Sequence, residues 1–428
     1  LGTAPTTPDP DHYVHSHIHA DVLIAGGGPA GLAAALAASA SGKRVILADE
    51  QDRPGGSLLH DTTSTIDGLP ARAWVARTLE ELGRRENVRI LSRTTVFGYF
   101  NHNHIALCER LTDHLRQPPP GQARERLWQV RAGQVIVATG AHERPLVFAN
   151  NDRPGIMLAD ALRCYMNRYA VTPGRNVVVA TNGASAYEAA LDAKAHGLFV
   201  TIVDYRTRDQ IGRERELAAR AGIEILDNHT VLGTTGRAQV TGITVAPKTA
   251  SGGVGDARTL ACSAVAMSGG WTPVVHLFSQ ARGRLDFDAA IDAFVPGAST
   301  SGTMSAGACR GRYGLAECIA DGFDAGGRAG GAAPCSGPKF SGAVTARDVS
   351  GFEPVRVMPT NRTSVRDKAF VDFQNDVTTK DLKLAVQEGF QSIEHVKRYT
   401  TTGMATDQGK TSNMNALGLV AGLLDVTP

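Results

Sequence analysis

The sequence predicts an α/β chain. Three observations predict it: two strand–turn–helix–strand units and one buried strand closed by glycine. The first unit opens with the apolar strand Asp21–Ala25. Gly26-Gly-Gly28-Pro-Ala-Gly31 follows, then an alanine-rich helix from Leu32 to about Ala40, then a strand over Lys43–Ala48 that ends in Asp49-Glu50. The second unit is strand Asn176–Ala180, helix Ala184–His196 and strand Phe199–Val203, ending at Asp204. The buried strand is Gln134–Ala138, closed by Thr139-Gly140. Apolar runs that alternate with helical periodicity are the mark of parallel sheets with helices on their faces. The expectation is two dinucleotide-binding domains of the Rossmann-like, FAD/NAD(P)-binding kind.

The remaining elements follow in chain order. Residues 1–20 are polar and read as a linker, with three prolines and three threonines in the first ten. His12, His15, His17 and His19 lie in it without a cysteine or carboxylate cluster, which favours a flexible lead-in over a metal site. Residues 71–86 have helical periodicity, and Val88–Leu91 and Thr94–Phe97 read as strands. Residues 117–121 form a proline-rich loop tip, and residues 247–258 form a second loop. Strands are expected near Ile223–Leu226 and over Ala264–Met267. Seven glycines and two prolines between 322 and 342 mark a linker. The domain reading is then 21–145 with 262–325 for the first nucleotide domain and 146–261 for the second. A linker over 326–364 and a small helical module over 365–428, with a helix from about Thr379, complete it.

Composition narrows the partners. Lys plus Arg is 44 against 42 for Asp plus Glu, so no charge excess points to nucleic acid or an anionic membrane. The six cysteines, at 108, 164, 262, 309, 318 and 335, include no C-x-x-C pair. They suggest neither a zinc site nor a disulfide framework, and a reduced, cytoplasmic compartment is expected. No apolar run is long enough to span a bilayer. The absence of an initiator Met and of a signal peptide suggests a piece of a longer chain.

The glycine turn carries the chemistry. Gly26 permits the tight turn, Gly28 lets backbone approach a pyrophosphate, and Gly31 lets helix and strand close up. The helix N-terminus at Pro29-Ala30 turns free amides and a positive dipole end toward phosphate. Glu50, 19 residues after Gly31, is placed to accept the ribose hydroxyls, with Asp49 one residue away in register. An acid there repels a 2′-phosphate and so favours NAD or FAD over NADP. Ala138, Thr139 and Gly140 put small residues beside the dinucleotide. In the second unit only Gly183 remains of a three-glycine pattern, because Thr181 and Ala186 carry Cβ atoms. That turn reads as scaffold at least as well as it reads as a cofactor site. No acid–base dyad, nucleophile triad or metal-ligand cluster is apparent, so no catalytic residue and no metal ligand is assigned.

Several runs resemble the α subunit of heterotetrameric sarcosine oxidase. They are Ala48-Asp-Glu-Gln51 with Gly55-Gly-Ser-Leu-Leu59, Arg93-Thr-Thr-Val-Phe-Gly-Tyr99, and Gly269–Ser279. At the C-terminal end they are Phe370–Thr378, Ser392–Met404 and Thr406–Asn413. The resemblance adds Gln51, Gly56, Ser57, Thr95, Val96, Gly307 and Leu315 to the candidate nucleotide contacts. Flavoproteins of this fold usually carry Gly-Asp where this chain has Gly307-Ala308. That Asp holds the ribityl chain of FAD, so its absence favours NAD in the first site and keeps FAD as the alternative.

The resemblance further implies a complex that oxidatively demethylates sarcosine to glycine, a one-carbon unit and hydrogen peroxide. Its β subunit carries FAD and a covalently held FMN, alongside smaller subunits, and the chemistry runs on those flavins. The isolated chain is then expected to be inactive. Related amine and opine dehydrogenases have a [2Fe–2S] module near the C-terminal position, but residues 365–428 contain no Cys. Lys397, Arg398, Thr400, Thr401, Lys410 and Thr411 are instead expected to form a basic, hydroxyl-rich surface near the FMN. The competing readings are a self-contained FAD-dependent amine dehydrogenase or pyridine-nucleotide oxidoreductase, and an assembly module without a small ligand.

Overall fold

The computed structural model describes residues 3–4, 6–9, 11–299, 302–331, 342–345, 351–361, 364 and 367–428. Its first sheet is built on the first unit: strand β1 (Tyr13–Ala25), helix α1 (Pro29–Ser39) and strand β2 (Val45–Ala48), with β1 and β2 parallel. Val22, Leu23 and Ile24 are fully buried, as expected of a central parallel strand covered on both faces. Strand order is Val88–Leu91, β2, β1, Glu125–Val137, His104–Arg110, Thr94–Phe100, and Met304–Ser305 pairs with the end of Glu125–Val137. The strands Thr94–Phe100, His104–Arg110 and Glu125–Val137 run antiparallel as a meander.

The linker reading of 1–20 fails from residue 13 onward. Tyr13–Ala20 form the first part of β1 and pair residue for residue with Glu125–Ala132. Most of these side chains are exposed, so no apolar period betrays the strand. Its hydrogen-bond partners come from more than a hundred residues away.

The glycine-rich stretch from 322 is also not a linker at its start. The helix Leu315–Ala329 runs straight through it and packs along α1. A Cβ on Gly322 would sit 2.1 Å from the Ala30 carbonyl oxygen, and one on Gly326 would sit 2.2 Å from that of Ala34. These glycines exist for a close helix–helix approach onto an alanine face. Gly322→Ala is therefore expected to cost about 2 kcal/mol or more by overpacking, although helix propensity alone would favour Ala by about 1 kcal/mol. The sign of the change in a denaturant titration separates the two. Further along, Val344–Thr345 pair with Thr65–Ile66, and Gly351–Glu353 dock on the second domain. Met358 is also fastened, its amide donating to the Val147 carbonyl at 2.8 Å, while residues 332–341, 346–350 and 362–363 of the linker reading lie outside the described residues, as do 300–301 and the module's first two positions, 365–366.

The second sheet has the parallel order Ile156–Leu158, Ala264–Ser268, Asn176–Thr181, Phe199–Asp204, Glu224–Leu226. This corrects the boundary at 262. Ala264–Ser268 belongs to the second domain, paired with Asn176–Thr181, and the chain returns to the first domain only after Gly270. The two crossings pair with each other, Ala141–Glu143 against Trp271–Pro273.

The C-terminal module is a small hairpin, Phe370–Asp372 with Val377–Thr378, and three helices, Thr379–Gln387, Ile393–Thr400 and Asn413–Leu424. The first helix starts at a capping box, Thr378 with Asp381. Val371, Val377, Leu382, Val396 and Val420 bury themselves together with Val147 from the entry to the second domain. Asn415 Nδ2 donates to the Pro145 carbonyl at 2.9 Å, and Asn151 exchanges two 2.9 Å bonds with the Phe370 backbone. The module is thus fastened to the segment that follows the domain crossing.

Candidate functional site

The glycine turn sits at the carboxyl edge of the first sheet, where open α/β sheets hold ligands. Gly26 has φ +103°, and a Cβ there would meet the Ala138 carbonyl oxygen at 2.3 Å. Gly31 is tighter still: its Cβ would fall 1.8 Å from the Gly26 carbonyl oxygen. Gly28 differs from both. A Cβ there would find only the Gly56 Cα, at 4.0 Å, so its face opens on the crevice. Gly28 caps α1 without a side-chain hydrogen bond, Pro29 follows in the first turn, and Ala30 is buried. The helix end therefore offers backbone amides and no competing side chain to an anion. A dinucleotide pyrophosphate fits this cradle.

Asp49, rather than Glu50, faces the turn. Its Oδ2 accepts the Gly27 amide at 2.6 Å and its Oδ1 the Gln51 amide at 2.8 Å. Burial raises its carboxyl above the ordinary range, against the pull of those two amides. Glu50, Gln51 and Ser57 are exposed. Both acids lie just past the end of β2, Asp49 buried and Glu50 exposed, and the motif spacing spans both. Gly56 has φ +54° and lies against Gly28, so that a Cβ on Gly56 would be 3.0 Å from the Gly28 Cα. Thr95 and Val96 follow Thr94, whose amide donates to the Asp49 carbonyl at 2.8 Å. Ala138 is hydrogen-bonded through its amide to the Ala25 carbonyl, and Thr139 Oγ1 donates to the Val274 carbonyl at 2.7 Å. Gly140, at φ +75°, turns the chain out of the sheet.

Gly307 has φ +77°, and a Cβ there would meet the Ala30 Cβ at 2.7 Å. Leu315 begins the helix that packs on α1. The sequence reading missed a carboxylate here: Asp321, 14 residues on, accepts the Gly307 amide at 2.8 Å and pairs with Arg310. Its carboxylate is turned to the Gly307 amide and the Arg310 guanidinium, within this chain.

The second turn is occupied by the chain itself. The Ala184 amide donates to the Gly351 carbonyl, and Asn182 and Glu353 exchange two backbone and side-chain bonds, all at 2.9 Å. Phe352 bridges to Gly183 and lies against Gly270, where a Cβ would meet the ring at 2.5 Å. Asp204, at the end of the second unit's strand, is held by Arg206 at 2.8 and 3.1 Å and by the Tyr187 hydroxyl at 2.9 Å. No motif between 340 and 360 signals this plug: its hydrogen bonds to the turn run through the Gly351 and Glu353 backbone, with the Phe352 ring and the Lys248–Glu353 ion pair beside them.

The expected FMN surface is divided. The Thr400, Thr401 and Thr411 hydroxyls donate to the Val396 carbonyl, the Thr400 carbonyl and the Asp407 carboxylate, so these donors are already committed. Lys397 is half-buried and Arg398 exposed on the helix Ile393–Thr400. Lys410 instead stands within electrostatic reach of His142 and His276.

His142 and Glu143, both unassigned by the motifs, sit on the crossing ribbon. Glu143 is fully enclosed. Burial, and then Asp160, push its carboxyl up to about 8, while its Oε2 accepts the Asp160 amide at 2.8 Å. The domains are further tied by His60 to Asp160 at 2.9 Å and Arg168 to Asp52 at 2.7 Å. Burial holds the thiols of Cys262 and Cys309 at about 11 and that of Cys318 at about 12, far from a reactive thiolate. No group of three or more His, Cys, Asp or Glu side chains is arranged to hold a metal among the described residues. No helix among them is long and apolar enough to cross a membrane.

Residues 20–316 match the model of the pyridine nucleotide-disulphide oxidoreductase family, and residues 366–428 match the sarcosine oxidase A3 domain. Over its whole length the chain is 42% identical to sarcosine oxidase subunit alpha of Rhizobium meliloti (strain 1021) and 40% identical to that of Corynebacterium sp. (strain P-1), covering 42% and 44% of those proteins. It therefore spans less than half the length of these relatives. The crystal structure of L-proline dehydrogenase from P. horikoshii superposes with a TM-score of 0.69 at 20% identity, over 96% of this chain and 76% of that one. That likeness establishes the fold alone. With the glycine cradle, the two nucleotide-type sheets and the docked C-terminal module, these matches make the chain a member of the pyridine nucleotide-disulphide oxidoreductase family and a homologue of sarcosine oxidase α subunits.

Proposed function

We propose that this chain is the NAD-binding portion of a sarcosine oxidase α subunit, one that holds a single dinucleotide and leaves sarcosine oxidation to flavins on partner subunits. The observation that carries the reading is the contrast between its two turns. At Gly26–Gly31 the backbone is bare of Cβ atoms toward the crevice, and Asp49 stands at its wall. At Thr181–Ala186 the chain's own Gly351–Glu353 takes the equivalent place, and Arg206 neutralises the acid. A self-contained flavin-to-nicotinamide relay needs two such sites. The missing carboxylate at Ala308 favours NAD over FAD in the open one.

Bound NAD would supply hydride chemistry at its nicotinamide ring. The chain's part is to seat the pyrophosphate on the α1 amides, to orient the adenosine ribose through Asp49, and to shield that half with Gly56 and the strand from Thr94. The FMN-facing role of Lys397, Arg398 and Lys410 toward a flavin-bearing β subunit belongs to the same proposal. So does the composition of the complex, with its smaller subunits.

Heat release of bound small molecules from the purified chain, followed by absorbance and mass spectrometry, tests the reading. One NAD per chain, no flavin absorbance and no sarcosine turnover by the chain alone are expected. Stoichiometric FAD would replace it with the self-contained flavoenzyme. In titrations, Asp49→Asn is expected to weaken NAD by about 10- to 100-fold, the worth of a charged hydrogen bond, whereas Glu50→Gln changes it by less than about threefold. The reverse order would return the ribose contact to Glu50.

A further inference from the structure

His142 lies on the ribbon that leaves the first sheet just past Gly140, opposite Thr272. The ribbon follows the strand Glu125–Val137 directly, at the carboxyl edge of the first sheet. The His142 Nε2 is enclosed and has no hydrogen-bond partner, although enclosed polar atoms are nearly always satisfied. The charged groups that reach it come from every side. Glu50 stands at the end of β2, His276 on the helix His276–Gln280, and Asp407 and Lys410 in the C-terminal module. Burial lowers its proton affinity, Lys410 and His276 lower it further, and Glu50 and Asp407 oppose them. The ring is thus neutral near pH 7, with one nitrogen to donate and one to accept. A neutral imidazole is a poor partner for phosphate and a good one for a hydroxyl or a carboxamide.

We propose that His142 Nε2 is a contact for the half of the dinucleotide beyond the pyrophosphate, bonding a neutral hydroxyl or carboxamide of the nicotinamide riboside. Lys410 of the C-terminal module lies within electrostatic reach of the His142 ring. This rests on NAD occupying the first site. The glycine cradle seats the pyrophosphate beside Ala138, and the chain from Ala138 leads through Gly140 to His142, so the second nucleoside extends along that path.

The test is calorimetric titration of the nucleotide-stripped full chain with NAD and with AMP, for wild type, His142→Ala and His142→Gln. His142→Ala is expected to weaken NAD about 10-fold, the cost of a lost hydrogen bond with one partner left buried, and to leave AMP unchanged. His142→Gln, which keeps a donor and an acceptor, is expected to stay within about threefold of wild type for NAD. Unchanged NAD affinity in His142→Ala overturns the contact, and equal loss for NAD and AMP reassigns His142 to general structure and overturns it too. A wild-type chain that binds AMP and FAD but not NAD overturns the NAD reading itself, and this inference with it.

Discussion

Gly31→Ala is expected to destabilise the whole first domain, and to lose nucleotide as a consequence. The added Cβ would lie 1.8 Å from the Gly26 carbonyl oxygen and 2.9 Å from its carbon. Both are backbone atoms that no rotamer change can move. Gly26 cannot retreat, because its own far side is against the Ala138 carbonyl. The strain must therefore push α1 off β1, and α1 buries Leu32, Ala33, Ala34, Ala35 and Ala38 in the domain core. The far face of α1 is held by the Gly322 and Gly326 contacts, so displacement is blocked there as well. Overpacking of this kind costs about 3 kcal/mol or more, a large part of the roughly 5–15 kcal/mol that holds a typical protein folded. Gly83→Ala is the control. Gly83 ends the helix Ala71–Gly83, and a Cβ there meets nothing within 4 Å, so that variant is expected to be neutral or slightly stabilised. Denaturant titrations that place Gly31→Ala beside Gly83→Ala would refute the close approach.

Glu143→Gln is expected to stabilise the protein at pH 8 and to leave it unchanged near pH 4.5. The folded carboxyl titrates at about 8 against an ordinary 4.5. Below 4.5 both folded and unfolded chains hold the proton, and the group contributes no pH dependence. Between 4.5 and 8 the unfolded chain ionises while the folded chain does not, so stability falls as pH rises through that window and levels off above it. At about 1.4 kcal/mol per pH unit, the wild type loses about 3–5 kcal/mol across the window. Glutamine does not titrate, and it can still accept the Asp160 amide. Its denaturation midpoints at pH 5, 6.5 and 8 should therefore diverge upward from wild type. Parallel curves would mean that the carboxyl is ionised in the fold and paid for elsewhere.

The nucleotide turn was legible because its chemistry is local. Gly26, Gly28, Gly31 and the acid after β2 lie within one strand–helix–strand unit, so their spacing along the chain is short and fixed. The choice between Asp49 and Glu50 was not, since both follow the end of β2 and spacing alone does not say which of them turns inward. The strand Tyr13–Ala20 escaped detection because a strand exposed along much of its length carries no apolar alternation. The end of the helix Leu315–Ala329, from Gly322 onward, read as a linker because glycine is a poor helix former in isolation. His142 and Glu143 carried no motif at all.

Two nucleotide-type α/β units, the position of the glycine turn and the lack of cysteines over 365–428 could all be read from the chain. Each of these depends on residue type and short-range spacing. That Gly351–Glu353 fills the second turn, that Gly322 and Gly326 serve a helix crossing, and that Lys410 comes within electrostatic reach of His142 emerged from the folded arrangement alone. Those contacts join segments separated by tens to hundreds of residues, many through backbone groups that every residue carries. A pattern of side chains therefore leaves no trace of them.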